Sequence, residues 1–135
     1  MGVLQDIWIL TNTGTVLFNR VFDAQMKSQL FGALMSALNT FAEKLAEGGL
    51  SNFELSDKRF IIKKTKHFIF VASSSKKSKE KKVADELEKV VARFQVKYHE
   101  DWFEKWDMDI SIFDDFEKDI GDTLEEPIKK FWKGF

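Results

Sequence analysis

Two short runs of uninterrupted apolar residues, IWIL at 7–10 and FIFVA at 68–72, constrain the fold more than any other feature of the sequence. Both runs have the composition of β-strands. A strand that is apolar at consecutive positions buries both of its faces, as strands in the interior of a covered sheet do. We therefore expect the two runs to lie side by side at the centre of one sheet.

The first run opens a predicted hairpin. Strand-like residues at 7–11 and 15–22 flank Asn12, Thr13 and Gly14, which suit a tight turn because they tolerate positive φ. Asp23 can then cap a helix in which apolar residues recur at helical spacing. Gly48 and Gly49 follow the last periodic residue and are typical of a helix end. The apolar stripe of this helix comprises Met26, Leu30, Leu34, Leu38, Phe41 and Leu45.

The rest of the chain alternates strands and helices. Three strand-like runs at 50–55, 60–65 and 67–73 predict an antiparallel meander. The polar, basic stretch SSSKKSKEKK at 73–82 predicts a loop, and helical spacing follows at 83–99 and 109–120. Thr123 and Glu126 have the spacing of a capping box, with Pro127 in the first turn of a short terminal helix over 124–132.

The predicted order of elements is β-β-α-β-β-β-α-α, an α+β fold. Placing the two apolar strands at the centre of a five-stranded antiparallel sheet gives the strand order 2-1-5-4-3, with helices on both faces. The chain has 135 residues, 44% of them hydrophobic, which is enough for one domain with its own core. We expect a single domain over 1–135, with a core at 1–99 and a C-terminal helical segment at 100–135 packed on the sheet.

Charge is unevenly distributed although the net charge is only -1. Residues 58–82 contain ten basic side chains and one acidic one, whereas residues 100–126 contain twelve acidic and two basic ones. Such a dipolar chain can steer a charged partner. The alternative is that the two blocks lie together in the fold and neutralise each other.

The sequence lacks the motifs of common catalytic sites. It contains no cysteine and no phosphate-binding, dinucleotide-binding, zinc-protease or nucleophile-elbow motif. His67 and His99 have no nucleophile near them in sequence, and the aspartates at 107, 109, 114 and 115 lack the spacing of a calcium loop. No signal peptide or membrane-spanning run is evident. We expect a cytoplasmic protein that is not an enzyme and has no cofactor, no metal and no nucleic-acid partner.

The opening hairpin IWILTNTGTVLFNRVF, the long helix with small residues at 32, 33, 36 and 37, the meander ending in HFIFVAS and the helix after it resemble a longin domain. Longin domains are the profilin-like modules of vesicle-trafficking proteins and of archaeal relatives, and the resemblance covers residues 1–98. It implies an adaptor or regulatory platform. Implied partners are a small GTPase, a SNARE-like segment, or another longin or roadblock domain, in a homodimer or heterodimer. The coiled coil and membrane anchor of longin SNAREs are not found.

Two surfaces are candidates for binding. For a protein partner we predict the third strand, the lysines of the following hairpin and the C-terminal aromatics, because edge strands and exposed aromatic residues mark interfaces. These residues are Phe53, Leu55, Lys63, Lys64, Lys66, Trp132 and Phe135. Trp102 and Trp106 are expected in the core. The alternative is peripheral contact with an anionic membrane through the loop lysines, or their solvation in a mobile loop. These are Lys76, Lys77, Lys79, Lys81 and Lys82.

Overall fold

A computed structural model describes residues 2–22, 31–32, 34–36, 50–55, 58–99 and 110–125. Within them the chain forms one five-stranded sheet in which every neighbouring pair is antiparallel. The order is β2-β1-β5-β4-β3, which confirms the predicted topology. The strands are β1 (Asp6–Thr11), β2 (Val16–Arg20), β3 (Leu50–Leu55), β4 (Lys58–Lys64) and β5 (Phe68–Ser75).

The described helices follow the meander. They are α1 (Glu80–Lys97), a 3-10 helix (Ile110–Phe113), α2 (Phe116–Asp119) and a second 3-10 helix (Gly121–Thr123). Residues 31–32 and 34–36 are also helical and belong to the helix predicted from Asp23. The remainder of that predicted helix, including its glycine end, lies outside the described residues.

The two apolar runs are neighbours at the centre of the sheet, as predicted. β1 and β5 pair over six residues, from Asp6 opposite Ser73 to Thr11 opposite Phe68. All six residues of β1 are buried. The turn into β2 places Gly14 at φ 99°, a conformation that favours glycine.

Alternation along the strands divides the core into two clusters, one on each face. Ile7 and Ile9 join the cluster beneath α1 and the C-terminal helices. Trp8 and Leu10 join the opposite cluster, where Leu34 of the helical residues is fully buried. Helices therefore cover both faces of the sheet, and the hydrophobic core consists of two layers.

The prediction of one continuous helix over 109–120 is wrong. The chain instead forms the 3-10 helix, two turn residues and the short α2. The Tyr98 hydroxyl donates a hydrogen bond of 3.0 Å to the carbonyl of Ile112, which a continuous α-helix would use within its own backbone. The bonds present span three residues, as from Asp114 N–H to Ser111. Phe113 and Phe116 stay buried, whereas Ile112 is 36% exposed.

The helix start predicted at Leu124 is also wrong. Leu124 is extended and forms a parallel bridge with Leu4. Two backbone hydrogen bonds make this bridge, from Leu4 N–H to Thr123 and from Glu125 N–H to Leu4. The Thr123 hydroxyl donates to the carbonyl of Ile120 at 2.7 Å. Residues 126–132 of the predicted helix lie outside the described part of the chain.

Candidate docking edge and charged surfaces

The two edges of the sheet differ in regularity. β3 pairs with β4 over six residues without a shift in register. β2 pairs with β1 through an irregularity, because Ile9 lies opposite Phe18 and Leu10 opposite Val16, leaving Leu17 as an extra residue. A bulge twists an edge and makes strand addition harder, whereas a regular edge presents N–H and C=O groups in sequence for another strand. β3 is therefore the edge with the geometry for strand pairing.

Side chains on both faces of β3 hold the strand in place. Phe53 is 9% exposed and its ring stacks on that of Phe60, with the centroids 5.3 Å apart. On the other face Asn52 donates a hydrogen bond of 2.7 Å to Glu80, and Glu54 pairs with Lys76 at 3.3 Å. The predicted contact residue Phe53 is thus part of the core.

The three lysines predicted as one cluster lie on different surfaces. Lys63 points toward α1 and pairs with Glu88 at 3.4 Å. Lys64 is the next residue of the strand and so lies on the opposite face. Lys66 is exposed in the turn, where its carbonyl accepts a hydrogen bond of 2.6 Å from the Asn12 side chain. The structure brings the three backbones together at one hairpin but does not bring the side chains onto one face.

The other predicted residues of the protein interface are placed only in part. Leu55 pairs with Lys58 through its backbone at the end of β3. Trp132 and Phe135 lie outside the described residues, as do Trp102 and Trp106.

The loop predicted for the polar, basic stretch at 73–82 is shorter in the structure. β5 continues to Ser75 and α1 begins at Glu80. Ser73 and Ser74 are fully buried, so they are not part of a solvated loop. Of the five lysines in this stretch, Lys76 pairs with Glu54 and Lys82 pairs with Glu86. No ion pair within the described part of the chain involves Lys77, Lys79 or Lys81.

The basic and acidic blocks do not neutralise each other among the residues that the structure describes. Lysines of the basic block pair with carboxylates at 6, 54, 86 and 88. The acidic block is paired instead with the second half of α1 and with Lys118. Arg93 contacts Asp122 through two hydrogen bonds of 2.5 and 3.0 Å, and Lys97 contacts Asp119 at 2.6 Å. Among the described residues, the ion pairs of the two blocks are therefore made with different partners.

Two buried carboxylates, Asp6 and Glu86, were not predicted from the sequence. Asp6 is fully buried and accepts hydrogen bonds from the Phe22 N–H at 2.7 Å, from the Ser73 hydroxyl at 2.5 Å and from the Lys58 ammonium group. Its position, one residue before the apolar run of β1, is the only signal in the sequence. This carboxylate links three central strands and has no access to a substrate.

Glu86 is the second buried carboxylate. Its spacing of four residues from Lys82 is typical of an exposed helical ion pair, but Glu86 is 2% exposed. Lys82 approaches Oε1 at 2.9 Å and Lys89 approaches Oε2 at 3.7 Å. The hydrogen bond that Lys82 donates to Glu86 raises the pKa of Lys82, so the lysine stays charged.

The described residues hold no group of three or more histidines and carboxylates placed to bind a metal ion. Asp107 and Asp109 of the candidate cation site are outside this part of the chain. No described helix is long and apolar enough to span a membrane.

The strand order and the helices on both faces of the sheet define the chain as a longin-type domain of the profilin-like α+β class. The family described as the first longin domain of FUZ, MON1 and HPS1 matches residues 5–99. The chain belongs to this family of longin domains from trafficking-type proteins. No curated protein matches the chain significantly.

Proposed function

We propose that this longin domain is a non-enzymatic adaptor of the cytoplasm, which binds a protein partner by adding a strand of the partner to the β3 edge. The regular register of β3 is the observation that carries the proposal. The partner classes are a small GTPase, a SNARE-like segment, or another longin or roadblock domain, which includes a second copy of this chain.

Three contacts support β3 as a rigid template. The Phe53–Phe60 stack, the Asn52–Glu80 hydrogen bond and the Glu54–Lys76 ion pair fix the strand from both faces. A preordered edge loses little conformational entropy when another strand pairs with it. Main-chain hydrogen bonds then supply affinity, and the side chains at its rim supply selectivity.

A lysine on the edge tests this proposal. In Asn52→Lys the new ammonium group retains a partner in Glu80, so the fold is preserved, while a charged edge strand resists pairing. Affinity capture from a cell lysate followed by mass spectrometry identifies the partners of the unmodified domain. We expect Asn52→Lys to lose those partners and to lower the self-association measured by light scattering at high micromolar concentration.

Ala92→Lys is the matched control, because it adds the same charge at an exposed position on α1. It should retain every partner and the same oligomeric state. Equal loss in both variants would show that net charge governs binding. Full retention of partners by Asn52→Lys would contradict docking at β3.

The second candidate function is peripheral binding to an anionic membrane through the turn before α1. Lys77, Lys79 and Lys81, which take part in no ion pair with another described residue, favour it, since each lysine near an anionic surface contributes about 1 kcal/mol. Flotation with phosphatidylserine-containing vesicles at 50 and 500 mM NaCl tests it. Binding that is lost at high salt and in Lys77→Glu/Lys79→Glu/Lys81→Glu supports membrane contact, and no flotation at low salt rejects it.

A further inference from the structure

A groove runs between β2, at one edge of the sheet, and the 3-10 helix Ile110–Phe113. The edge strand forms one wall, and the 3-10 helix with the first residues after it forms the other. The lining residues are Val16, Leu17, Phe18, Asn19, Ile110, Asp114 and Glu117. This groove lies at the edge of the sheet opposite to β3.

The bulge at Leu17 forms the apolar floor of the groove. In a regular strand, Leu17 and Phe18 would point to opposite faces, but the extra residue directs both toward the cluster beneath α1. They are 3% and 6% exposed, and the Phe18 ring contacts that of Phe116 edge to face at 5.5 Å. Bulges at sheet edges commonly redirect a side chain in this way at functional sites.

The rim combines an exposed aliphatic side chain with two exposed carboxylates. Ile110 is 47% exposed. Asp114 and Glu117 are exposed and take part in no ion pair within the described part of the chain. The cations nearest in sequence are engaged elsewhere, because Arg20 donates to the carbonyls of Gln5 and Glu125, and Lys118 pairs with Asp115. Among the described residues, the negative charge beside the apolar floor is thus left uncompensated.

The two walls of the groove differ in their relation to the family. β2 lies within the matched residues 5–99, whereas Ile110, Asp114 and Glu117 lie beyond them. The acidic wall is therefore contributed by a segment outside the span that defines the family.

From this combination we infer that the groove binds a short basic segment of a protein partner, in which a lysine or arginine stands beside an aliphatic residue. The cation faces Asp114 and Glu117, and the aliphatic side chain packs on Ile110 above the apolar floor. The bulge disfavours strand addition at this edge, so contact is made through side chains. An anionic membrane would be repelled here. The inference is independent of docking at β3 and gives the adaptor a second surface at the opposite edge of its sheet.

The test uses three labelled eight-residue peptides and fluorescence anisotropy at 50 mM salt. The first peptide alternates lysine with valine and leucine, the second replaces the aliphatic residues by glycine, and the third replaces lysine by glutamate. We expect the first peptide to bind at least five-fold more tightly than the second, and the third not to bind. Amide chemical shifts should move at Asn19, Ile110 and Glu117.

Asp114→Asn/Glu117→Gln should raise the Kd of the first peptide about ten-fold, since an exposed ion pair contributes up to about a five-fold change in affinity. Ile110→Ser should raise it about three-fold. The matched control is Asp85→Asn/Glu88→Gln, which removes the same charge from α1, where Glu88 faces β4 rather than β2. The control should change the Kd less than two-fold.

Equal binding of the lysine-glycine and lysine-aliphatic peptides would overturn the inference, because it would show diffuse attraction alone. Equal loss in the test and control variants would overturn it for the same reason. Wild-type affinity in Asp114→Asn/Glu117→Gln, or shifts confined to other acidic surfaces, would place the contact elsewhere. If the peptide is displaced when the domain self-associates, the groove binds the lysine-rich turn before α1 of a second copy. That result would also overturn the inference.

Discussion

Leu34 belongs to the helix predicted from Asp23 and packs against one face of the sheet. It is fully buried in the cluster that contains Trp8, Phe60 and Val71. We expect Leu34→Ala to lower the free energy of unfolding by about 2 to 5 kcal/mol through lost burial and a residual cavity. Urea denaturation measures this. Phe31→Ala, on the same helical segment but at a side chain that is 36% exposed, should cost less. A loss below about 1 kcal/mol in Leu34→Ala would contradict its place in the core.

Asp6 contributes to stability through hydrogen bonds and not through apolar burial, because it is a buried charge that accepts from three donors. Asp6→Ala leaves the Ser73 hydroxyl, the Phe22 N–H and the Lys58 ammonium group without their acceptor. Lys58 is 19% exposed and can turn toward water, which moderates the penalty. We expect a loss of about 2 to 4 kcal/mol in thermal or urea unfolding. Asp115→Ala, at a carboxylate that is 76% exposed, should change stability by less than about 0.5 kcal/mol.

Between elements, Arg93 and Lys97 join the end of α1 to the segment around α2. The hydrogen bond from Arg93 lowers the pKa of Asp122, and the hydrogen bond that Lys97 donates to Asp119 raises the pKa of Lys97. Because the folded-state pKa of Asp122 lies below its ordinary value of about 3.9, the pair stabilises the fold above that pH and loses its effect as pH falls through the lowered value.

Asp122→Asn should therefore be less stable than the unmodified protein at neutral pH, and the two should converge in acid. Thermal unfolding between pH 2 and 7 measures the difference. The pair is exposed, so added salt should also reduce the gap at neutral pH. A gap that widens toward low pH would contradict this sign.

The same elements show what a sequence can predict. The central strands were predictable because both faces of β1 and β5 are buried, which leaves a continuous apolar run. The Leu17 bulge was not, because it depends on pairing with Ile9 and Leu10 across the hairpin. The candidate contact at Phe53 was assigned from edge position alone, and its burial depends on the stack with Phe60 in the next strand. The groove at β2 requires both the bulge and the segment at 110–117, so no local pattern indicates it.

For the whole molecule, the lysines of the β4–β5 hairpin predict how association responds to mutation. Lys64 and Lys66 lie at the β4–β5 hairpin outside any ion pair of the described chain, whereas Lys63 is paired with Glu88. If the partner found by affinity capture is acidic, Lys64→Glu/Lys66→Glu should slow association about ten-fold and change dissociation less, because distant charges act on encounter. Stopped-flow binding separates the two rates. Lys63→Glu should have a smaller effect, and an unchanged association rate in the double variant would exclude steering by this hairpin.

The adaptor proposal also predicts that the purified domain does not hydrolyse GTP. The sequence has no phosphate-binding loop and no cysteine. An effect on a GTPase would then arise from preferential binding to one of its conformations, limited by the difference in affinity. Release of phosphate from GTP by the isolated domain, retained through further purification, would refute the adaptor function.

The bridge between Leu4 and Leu124 has a consequence for how the protein folds. The side chains of Gln5 and Glu125, which flank it, are 120 residues apart in sequence and hydrogen bonded at 3.2 Å. Contacts of such long range require closure of a large loop, whose entropy must be lost before the contact stabilises the chain. During synthesis, β1 and β2 emerge early. Leu4, just before β1, can form its bridge only after Leu124 has been made, more than a hundred residues later. We infer that the sheet assembles first and that this bridge is among the last contacts to form.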